Sequence, residues 1–360
     1  MEEATKVISF SPTMGTLSSA STKDLLTTTE EFSKNKYDTN EDLWSKEMER
    51  VVSIVVPIIF SLMFLVGCTG NSLVLYVVAS NKNMRSPKNL LITNLAIADL
   101  LFIITCVPFS AAAYASPHNW LFGDTFCKIF QTTTYYTALV SVYTLVLISM
   151  ERFLAISYPI RSISWRTNAN SLIAIIITWA VLLVFCIPMI FSHSELRTLS
   201  NNTYCDFSEN KRISILPESF DWRWNILRFK ISFFVLGFLL PMLVMSGFYI
   251  IMFYTLWKQG PVDERHVERT KKNRKIVKLF LVVVIIFAIC WTPIHVIMIL
   301  RALRSYSNTP IFITIQIISH VLAYANSCLN PIIYGFLYEP FRQGLKFKAR
   351  MIPPHNFYNN

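Results

Sequence analysis

The sequence predicts an all-α membrane protein: a seven-transmembrane helix bundle followed by a short amphipathic eighth helix. Three observations carry this. Hydrophobic residues make up 53% of the 360-residue chain and charged residues only 15%, far from the composition of a soluble domain. Seven uncharged runs cover Val51–Asn81, Asn89–Gly123 (broken only by Asp99), Ile129–Met150, Thr167–Ser194, Ile231–Trp257, Leu279–Leu300 and Ser305–Tyr338. Each is long enough for a hydrocarbon core, which needs about 20 residues. None alternates apolar and polar residues as a barrel strand does, and helix is the other backbone that satisfies itself in lipid. A soluble enzyme is excluded on these grounds.

Loop charge orients the bundle, because short loops rich in Lys and Arg stay cytoplasmic. Segment 80–88 carries Lys82, Arg85 and Lys88, and segment 153–170 carries Arg161 and Arg166. Segment 258–278 has eight basic residues against three acidic, and the tail has Arg342, Lys346, Lys348 and Arg350 against Glu339. Residues 1–48 carry five basic and nine acidic residues. The N-terminus is therefore outside. The net charge of +11 is a topology signal on the inner face and gives no support to nucleic-acid binding.

In chain order, residues 1–48 are rich in Ser, Thr, Glu and Lys without an apolar period, and are expected to be a mostly disordered extracellular tail. Nothing before Glu49 resembles a signal-peptide apolar region, so the first helix is expected to act as an uncleaved anchor. Residues 49–338 form the membrane domain. Pro57, Pro108, Pro188, Pro241, Pro293 and Pro331 fall inside spans, where each removes a backbone hydrogen bond and favours a kink. Residues 339–360 are a cytoplasmic tail in which the spacing of Phe341, Leu345 and Lys348 gives the amphipathic helix on the membrane surface.

Of seven cysteines, five (Cys68, Cys106, Cys186, Cys290, Cys328) lie inside spans and read as small buried apolar residues. Cys127, at the outer start of the third span, and Cys205, in the long outer loop, both face an oxidising compartment and are expected to form a disulfide. Asn201-Asn202-Thr203 is a sequon on the same loop, where topology allows glycosylation of Asn201.

Charge within a span is costly and points to function. Asp99 is alone in the second span, as a structural acid or as a cation-binding switch. Glu151-Arg152-Phe153 closes the third span, and from Cys127 to Arg152 is about 37 Å of helix, enough to reach from one face to the other. Glu151 and Arg152 read either as an interfacial pair or as a latch that opens to receive a partner.

In order through the spans come Gly70-Asn71, Asn94-Leu95-Ala96-Ile97-Ala98-Asp99, Glu151-Arg152-Phe153, Trp179, Pro241 with Tyr249, Cys290-Trp291-Thr292-Pro293, and Asn326 through Tyr334. This set resembles the rhodopsin-like (class A) G-protein-coupled receptors over residues 50–350. The resemblance implies a sodium pocket from Asp99, Ser141, Asn326 and Asn330, and an activation switch from Trp291, Phe287, Pro241, Val142, Tyr249 and Tyr334. It implies coupling to a heterotrimeric G protein through Glu151, Arg152, Pro159 and Ile160, and no cofactor beyond an allosteric sodium ion. Glu151 and Phe153 replace the commoner Asp and Tyr, keeping an acid and an aromatic. Lys271 stands where some members carry an acid that locks Arg152 to the sixth helix, so that lock is not expected. The tail has no Cys for palmitoylation and no Ser or Thr after Tyr338.

Thr134 stands where amine receptors carry an Asp, and Tyr324 where opsins carry the retinal Lys, which disfavours an amine and a Schiff base. Aromatic residues of the upper half, Tyr114, Trp120, Phe122, Tyr135, Tyr136, Phe191, Phe207, His295, His320 and Tyr324, suit a peptide. Lys128, Arg228, Lys230, Arg301 and Arg304 form a basic rim that reads as an attractor of acidic ligands or as solvated and paired helix ends. The candidate ligand-binding set drawn from these is Tyr114, Lys128, Tyr135, Phe207, Arg228, Lys230, His295, Arg301, His320 and Tyr324, together with Phe109, Gln131, Thr134, Met298 and Gln316. Phe126-Cys127-Lys128-Ile129, residues 141–147 and residues 288–296 resemble the galanin and allatostatin-A receptor group, to which invertebrate achatin-like peptide receptors are similar. That resemblance implies a plasma-membrane receptor for a short neuropeptide, acidic and aromatic by the rim and floor, with a Gi/o-type partner. A lipid or other small-molecule ligand is the nearer alternative and a membrane transporter the remote one.

Overall fold

In the computed structural model of the chain, the described residues are 20–81, 84, 86–198, 201–207, 226–258, 264–303, 309–338 and 341–344, with backbone alone for 20–45. Two compact units result, Met1–Val51 and Val52–Asn360; the second is the bundle. The elements are α1 (Ala20–Ser80), α2 (Pro87–Ala115), α3 (Gly123–Ser157), α4 (Asn168–Ser192), the hairpin β1 (His193–Arg197) and β2 (Thr203–Phe207), α5 (Ile226–Phe234), α6 (Leu240–Lys258), α7 (Glu264–Ala302) and α8 (Pro310–Leu337). A π-helical turn, Val235–Leu239, joins α5 to α6, so these two make the fifth span, α7 the sixth and α8 the seventh. Seven helices are long and apolar enough to cross a membrane, and they match the seven uncharged runs.

Helical backbone begins at Ala20, inside the segment whose composition gives disorder; residues 1–19 lie outside the described residues. Helical hydrogen bonds are local and need no apolar face, so composition alone does not exclude them. At the other end one helical turn, 341–344, follows the seventh span, with Phe341 buried and Arg342 and Gln343 exposed. Leu345 and Lys348 of the expected amphipathic helix lie outside the described residues.

α3 is the central column: fifteen of its residues are buried, and it packs against α2, α4 and α6. α4 is nearly the reverse, with Ile173, Ile176, Val181 and Val184 more than half exposed in a manner that only lipid satisfies. Local sequence sets several ends. Thr167 caps α4 by accepting Asn170 N at 3.1 Å, and Thr309 caps α8 before Pro310. Asn94 ties three helices together, donating to Thr144 Oγ1 at 2.8 Å while accepting Trp179 Nε1 at 2.9 Å.

Candidate functional site

At the outer end, the hairpin β1–β2 lies over the helices, held by the Cys127–Cys205 disulfide. Trp120 N donates to Thr203 O at 3.0 Å, and Thr203 N to His118 O at 3.0 Å. Glu195 N donates to Asp124 Oδ1 at 3.0 Å, while Asp124 Oδ2 pairs with Lys128 one helical turn on. Lys128 of the expected rim is therefore neutralised by a residue of its own helix. Lys230 lies within electrostatic reach of Asp206, Arg228 is exposed, and Arg304 lies outside the described residues. Arg301 donates to the side-chain carbonyl of Gln316, joining the sixth span to the seventh.

Beneath the hairpin, Gln131 Nε2 donates to Cys205 O at 3.4 Å, and Thr134 Oγ1 donates to Phe130 O at 2.8 Å beside the Cys106 sulfur. Phe109 sits among Phe122, Phe126 and Phe130, with ring centroids 4.7 to 6.3 Å apart. Tyr135 packs edge-on to Phe233 at 4.8 Å and beside Met298. Phe207 contributes backbone to the hairpin, its side chain lying outside the described residues. Three candidates are committed to helix packing: Tyr114 Oη lies 2.7 Å from His320 Nδ1, and Tyr324 Oη 2.8 Å from Ser110 Oγ with its ring between Phe60 and Phe102. His193, at the hairpin base, faces Tyr135 and the Met189 carbonyl; burial holds its pKa below the ordinary value.

His295 forms the floor. It is 1% exposed, enclosed by Phe233, Phe234, Phe238 and Trp291 at 5.0 to 6.0 Å, and neither ring nitrogen has a hydrogen-bond partner among the described residues. Trp291 stacks on towards Phe287 at 5.9 Å, and Phe287 lies in one core cluster with Val142, Met245 and Tyr334. Pro241 is buried in the first turn of α6.

At mid-depth Asp99 is fully buried, with Oδ1 accepting Ser141 Oγ at 3.1 Å and Oδ2 accepting Asn330 Nδ2 at 2.9 Å. Three helices meet on one carboxylate. Asn326 is buried one turn before Asn330 on the same face of the seventh span. Among the described residues no group of three His, Cys, Asp or Glu side chains could hold a metal ion, and the donors gathered at Asp99 are of the oxygen type that hard cations take.

At the inner end Glu151 and Arg152 are both buried and form an ion pair. The other Glu151 oxygen, Oε1, accepts Arg166 Nε at 3.3 Å. Tyr249 Oη lies 3.4 Å from Ser149 Oγ, and the buried Tyr334 Oη has no hydrogen-bond partner among the described residues. Ile160 projects from the second inner loop at 83% exposure, with Pro159 half-buried beside it. Lys271 is exposed.

The family model described as 7 transmembrane receptor (rhodopsin family) matches residues 70–334. The chain belongs to that family. It is a multi-pass receptor of the plasma membrane with its N-terminus outside, and not an enzyme. The receptor is 44% identical over 309 residues to an allatostatin-A receptor of Bombyx mori, an alignment covering 86% of this chain and 83% of that one. It is 35% identical over 298 residues to human galanin receptor type 2, covering 82% and 72%. With the galanin-like G-protein coupled receptor npr-9 of Caenorhabditis elegans it shares 33% over 332 residues, covering 84% and 75%.

In this receptor the residues named from sequence fall into three layers, an outer group beneath the hairpin, the Asp99 centre and the inner Glu151–Arg152 pair, with the His295, Trp291 and Phe287 stack running inward from the first. Three partners escaped that reading. Arg166 looked like one more basic loop residue. Tyr143, whose hydroxyl donates to Leu236 O at 3.1 Å, had no role of its own within the segment 141–147. Tyr338, which bonds Asn89 Oδ1 at 2.7 Å with Lys88 Nζ 5.0 Å over its ring, looked like the last residue of a span. Pro241 is the only one of the corresponding signals readable in advance, since its missing N–H guarantees an orphan carbonyl nearby.

Proposed function

We propose that this receptor binds a short neuropeptide in the vestibule beneath the β1–β2 hairpin and couples it to a Gi/o-type heterotrimeric G protein. The observation that carries the reading is the similarity to an allatostatin-A receptor and to galanin receptors over more than four-fifths of the chain. The vestibule chemistry supports it: aromatic walls from Phe109, Tyr135 and Phe122, and the guanidinium of Arg301, which donates to the Gln316 carbonyl. A peptide with an aromatic side chain and an acidic group meets both. Sodium held by Asp99 and Ser141, next to Asn326 and Asn330, would stabilise the resting arrangement.

Peptide binding shifts the equilibrium towards a state in which Arg152 leaves Glu151 and the inner end of the sixth span moves outward. Going from 1:99 to 99:1 takes about 5.5 kcal/mol of differential affinity, which the vestibule contacts must supply. The test is G-protein activation in cells expressing the receptor, screened against short amidated and free-acid neuropeptides. A submicromolar response to an acidic aromatic peptide supports the whole reading. A response only to uncharged or basic peptides keeps the peptide and discards the acid. Silence at confirmed surface expression would move lipids and small molecules to the front.

A further inference from the structure

The Glu151 carboxylate has two arginines and not one. Arg152 takes Oε2 from the same helix, and Arg166 takes Oε1 from the far end of the second inner loop at 3.3 Å. The second contact is built. Ser162 is 3% exposed and its Oγ donates to Leu154 O at 3.0 Å, which fastens the loop to the last turns of α3. Trp165 N and Arg166 N both donate to Ser162 O, at 3.1 and 3.0 Å, and Asn170 Nδ2 donates to Trp165 O at 3.0 Å from the first turn of α4. Arg166 is thus set between a pinned turn and a capped helix, with its side chain 27% exposed against 7% for Glu151.

A buried carboxylate is stable only while paired, and removing its one partner leaves an uncompensated charge. Release of Arg152 would impose that penalty on Glu151 if the pair stood alone. With Arg166 present, two cations share one anion in the resting state and repel each other there. After Arg152 leaves, one full pair remains. The second arginine therefore lowers the cost of releasing the first. Lys88 of α2 also lies within electrostatic reach of Glu151, but its ammonium already lies over the Tyr338 ring.

We propose that Arg166 is a positioning residue for Glu151, which it keeps paired after Arg152 has swung away, so that it stabilises the signalling state of the receptor. This rests on the reading that Arg152 is released on activation. The measurement is the affinity of purified receptor in lipid nanodiscs for a nucleotide-free Gi, Gq or Gs heterotrimer, whichever binds the parent, without agonist. Apparent affinity there scales with the fraction of receptor in the signalling state.

Glu151→Gln is expected to tighten binding, and Arg166→Gln to weaken it by about tenfold, the scale of one charged hydrogen bond lost. Arg166→Lys should stay near the parent. In the Glu151→Gln background, Arg166→Gln should have no further effect, because its partner is gone. A loop that merely lost its fold, or an arginine that touched the G protein directly, would weaken binding equally in both backgrounds and overturn the proposal. So would tighter binding by Arg166→Gln alone. No effect of Glu151→Gln would instead remove the Arg152-release reading. If Arg166→Gln does not reach the membrane, Arg166→Met, which keeps the apolar stem, makes the same comparison.

Discussion

Tyr143 of α3 donates its hydroxyl to the main-chain carbonyl of Leu236 at 3.1 Å, and the reason lies five residues further on. Within the π turn Val235–Leu239, Leu240 N bonds back to Val235 O. Continuing that register would give Leu236 O the amide of residue 241, which is a proline without an N–H. The carbonyl is therefore an orphan in lipid, where an unmet backbone group is expensive, and Tyr143 supplies the donor. Tyr143→Phe is expected to cost about 1 kcal/mol, a fall in Tm of about 2 °C for a chain of this size. Unchanged thermal unfolding of the purified variant would mean that another donor reaches Leu236.

Asp99 is hydrogen-bonded by Ser141, Asn330 and Ser327, while an ionised carboxylate offers about four acceptor positions, so a sodium ion entering here would add to the network. Replacing choline chloride by sodium chloride is expected to raise the Tm of the resting receptor, by the mass-action stabilisation any ligand of the folded state gives. Asp99→Asn should abolish that difference. Equal sodium sensitivity in parent and variant would place the ion elsewhere.

What could be read in the sequence follows from what lipid enforces locally. Charge-free length, loop basicity and the isolated Asp99 are one-dimensional signals, and each found its place in three dimensions. Pairings could not be read this way. Lys128 counted towards a basic rim until Asp124, four residues earlier, proved to be its partner. Tyr114, His320 and Tyr324 were upper-half aromatics whose hydroxyl and ring nitrogen turn out to be bonded between helices. Arg166 reaches Glu151 only because a loop of particular shape carries it there. The four-residue spacing of Asp124 and Lys128 is a signal the sequence carries and the rim reading passed over; side chains brought together from different spans leave no such signal.

Asn201 and Thr203 of the sequon do different structural work. Asn201 has φ 63° in the hairpin turn, a left-handed conformation that Asn tolerates, and its side chain is exposed. Thr203 is 9% exposed, with its hydroxyl donating to Asn119 Oδ1 at 3.0 Å and accepting Trp120 N at 2.8 Å. Both Asn201→Asp, which keeps a residue that tolerates the left-handed conformation, and Thr203→Ala should abolish any endoglycosidase-sensitive mass shift. Only Thr203→Ala should also lose stability, by about 1–3 kcal/mol for the donor and acceptor left unpaired. Equal stability of the two would show that the outer loop does not depend on that hydroxyl.

His193 gives the hairpin base a pH dependence of known sign. Burial lowers its pKa from the ordinary 6.5, so in the folded receptor it stays neutral while the unfolded chain takes up a proton. The unfolded state then binds more protons, and stability is complete above about pH 6.5 and falls as the pH drops from there towards the lowered folded value. His193→Phe should remove this component. The stability difference between parent and variant is expected to be flat above pH 7 and to move in the variant's favour below 6. A difference independent of pH from 5 to 8 would mean that His193 titrates alike in both states.

Gly70 and Gly247 give opposite expectations for the same change to alanine. A Cβ on Gly70 would stand 3.0 and 3.1 Å from the Pro331 ring, a rigid neighbour in the seventh span that cannot rotate away. The next residue, Asn71, bonds Ser327 O at 3.0 Å across the same seam, so moving the helices apart would also lengthen that bond. Gly70→Ala is expected to cost about 1–3 kcal/mol, the range for an overpacked core. A Cβ on Gly247, inside α6, would meet nothing within 4 Å, and Gly247→Ala should instead gain about 0.5–1 kcal/mol from reduced backbone entropy of the unfolded chain. Thermal unfolding of the two variants in one lipid or detergent separates the cases. A loss at both positions would mean that the lipid-facing side of the fifth span is packed more closely than the space around Gly247 allows.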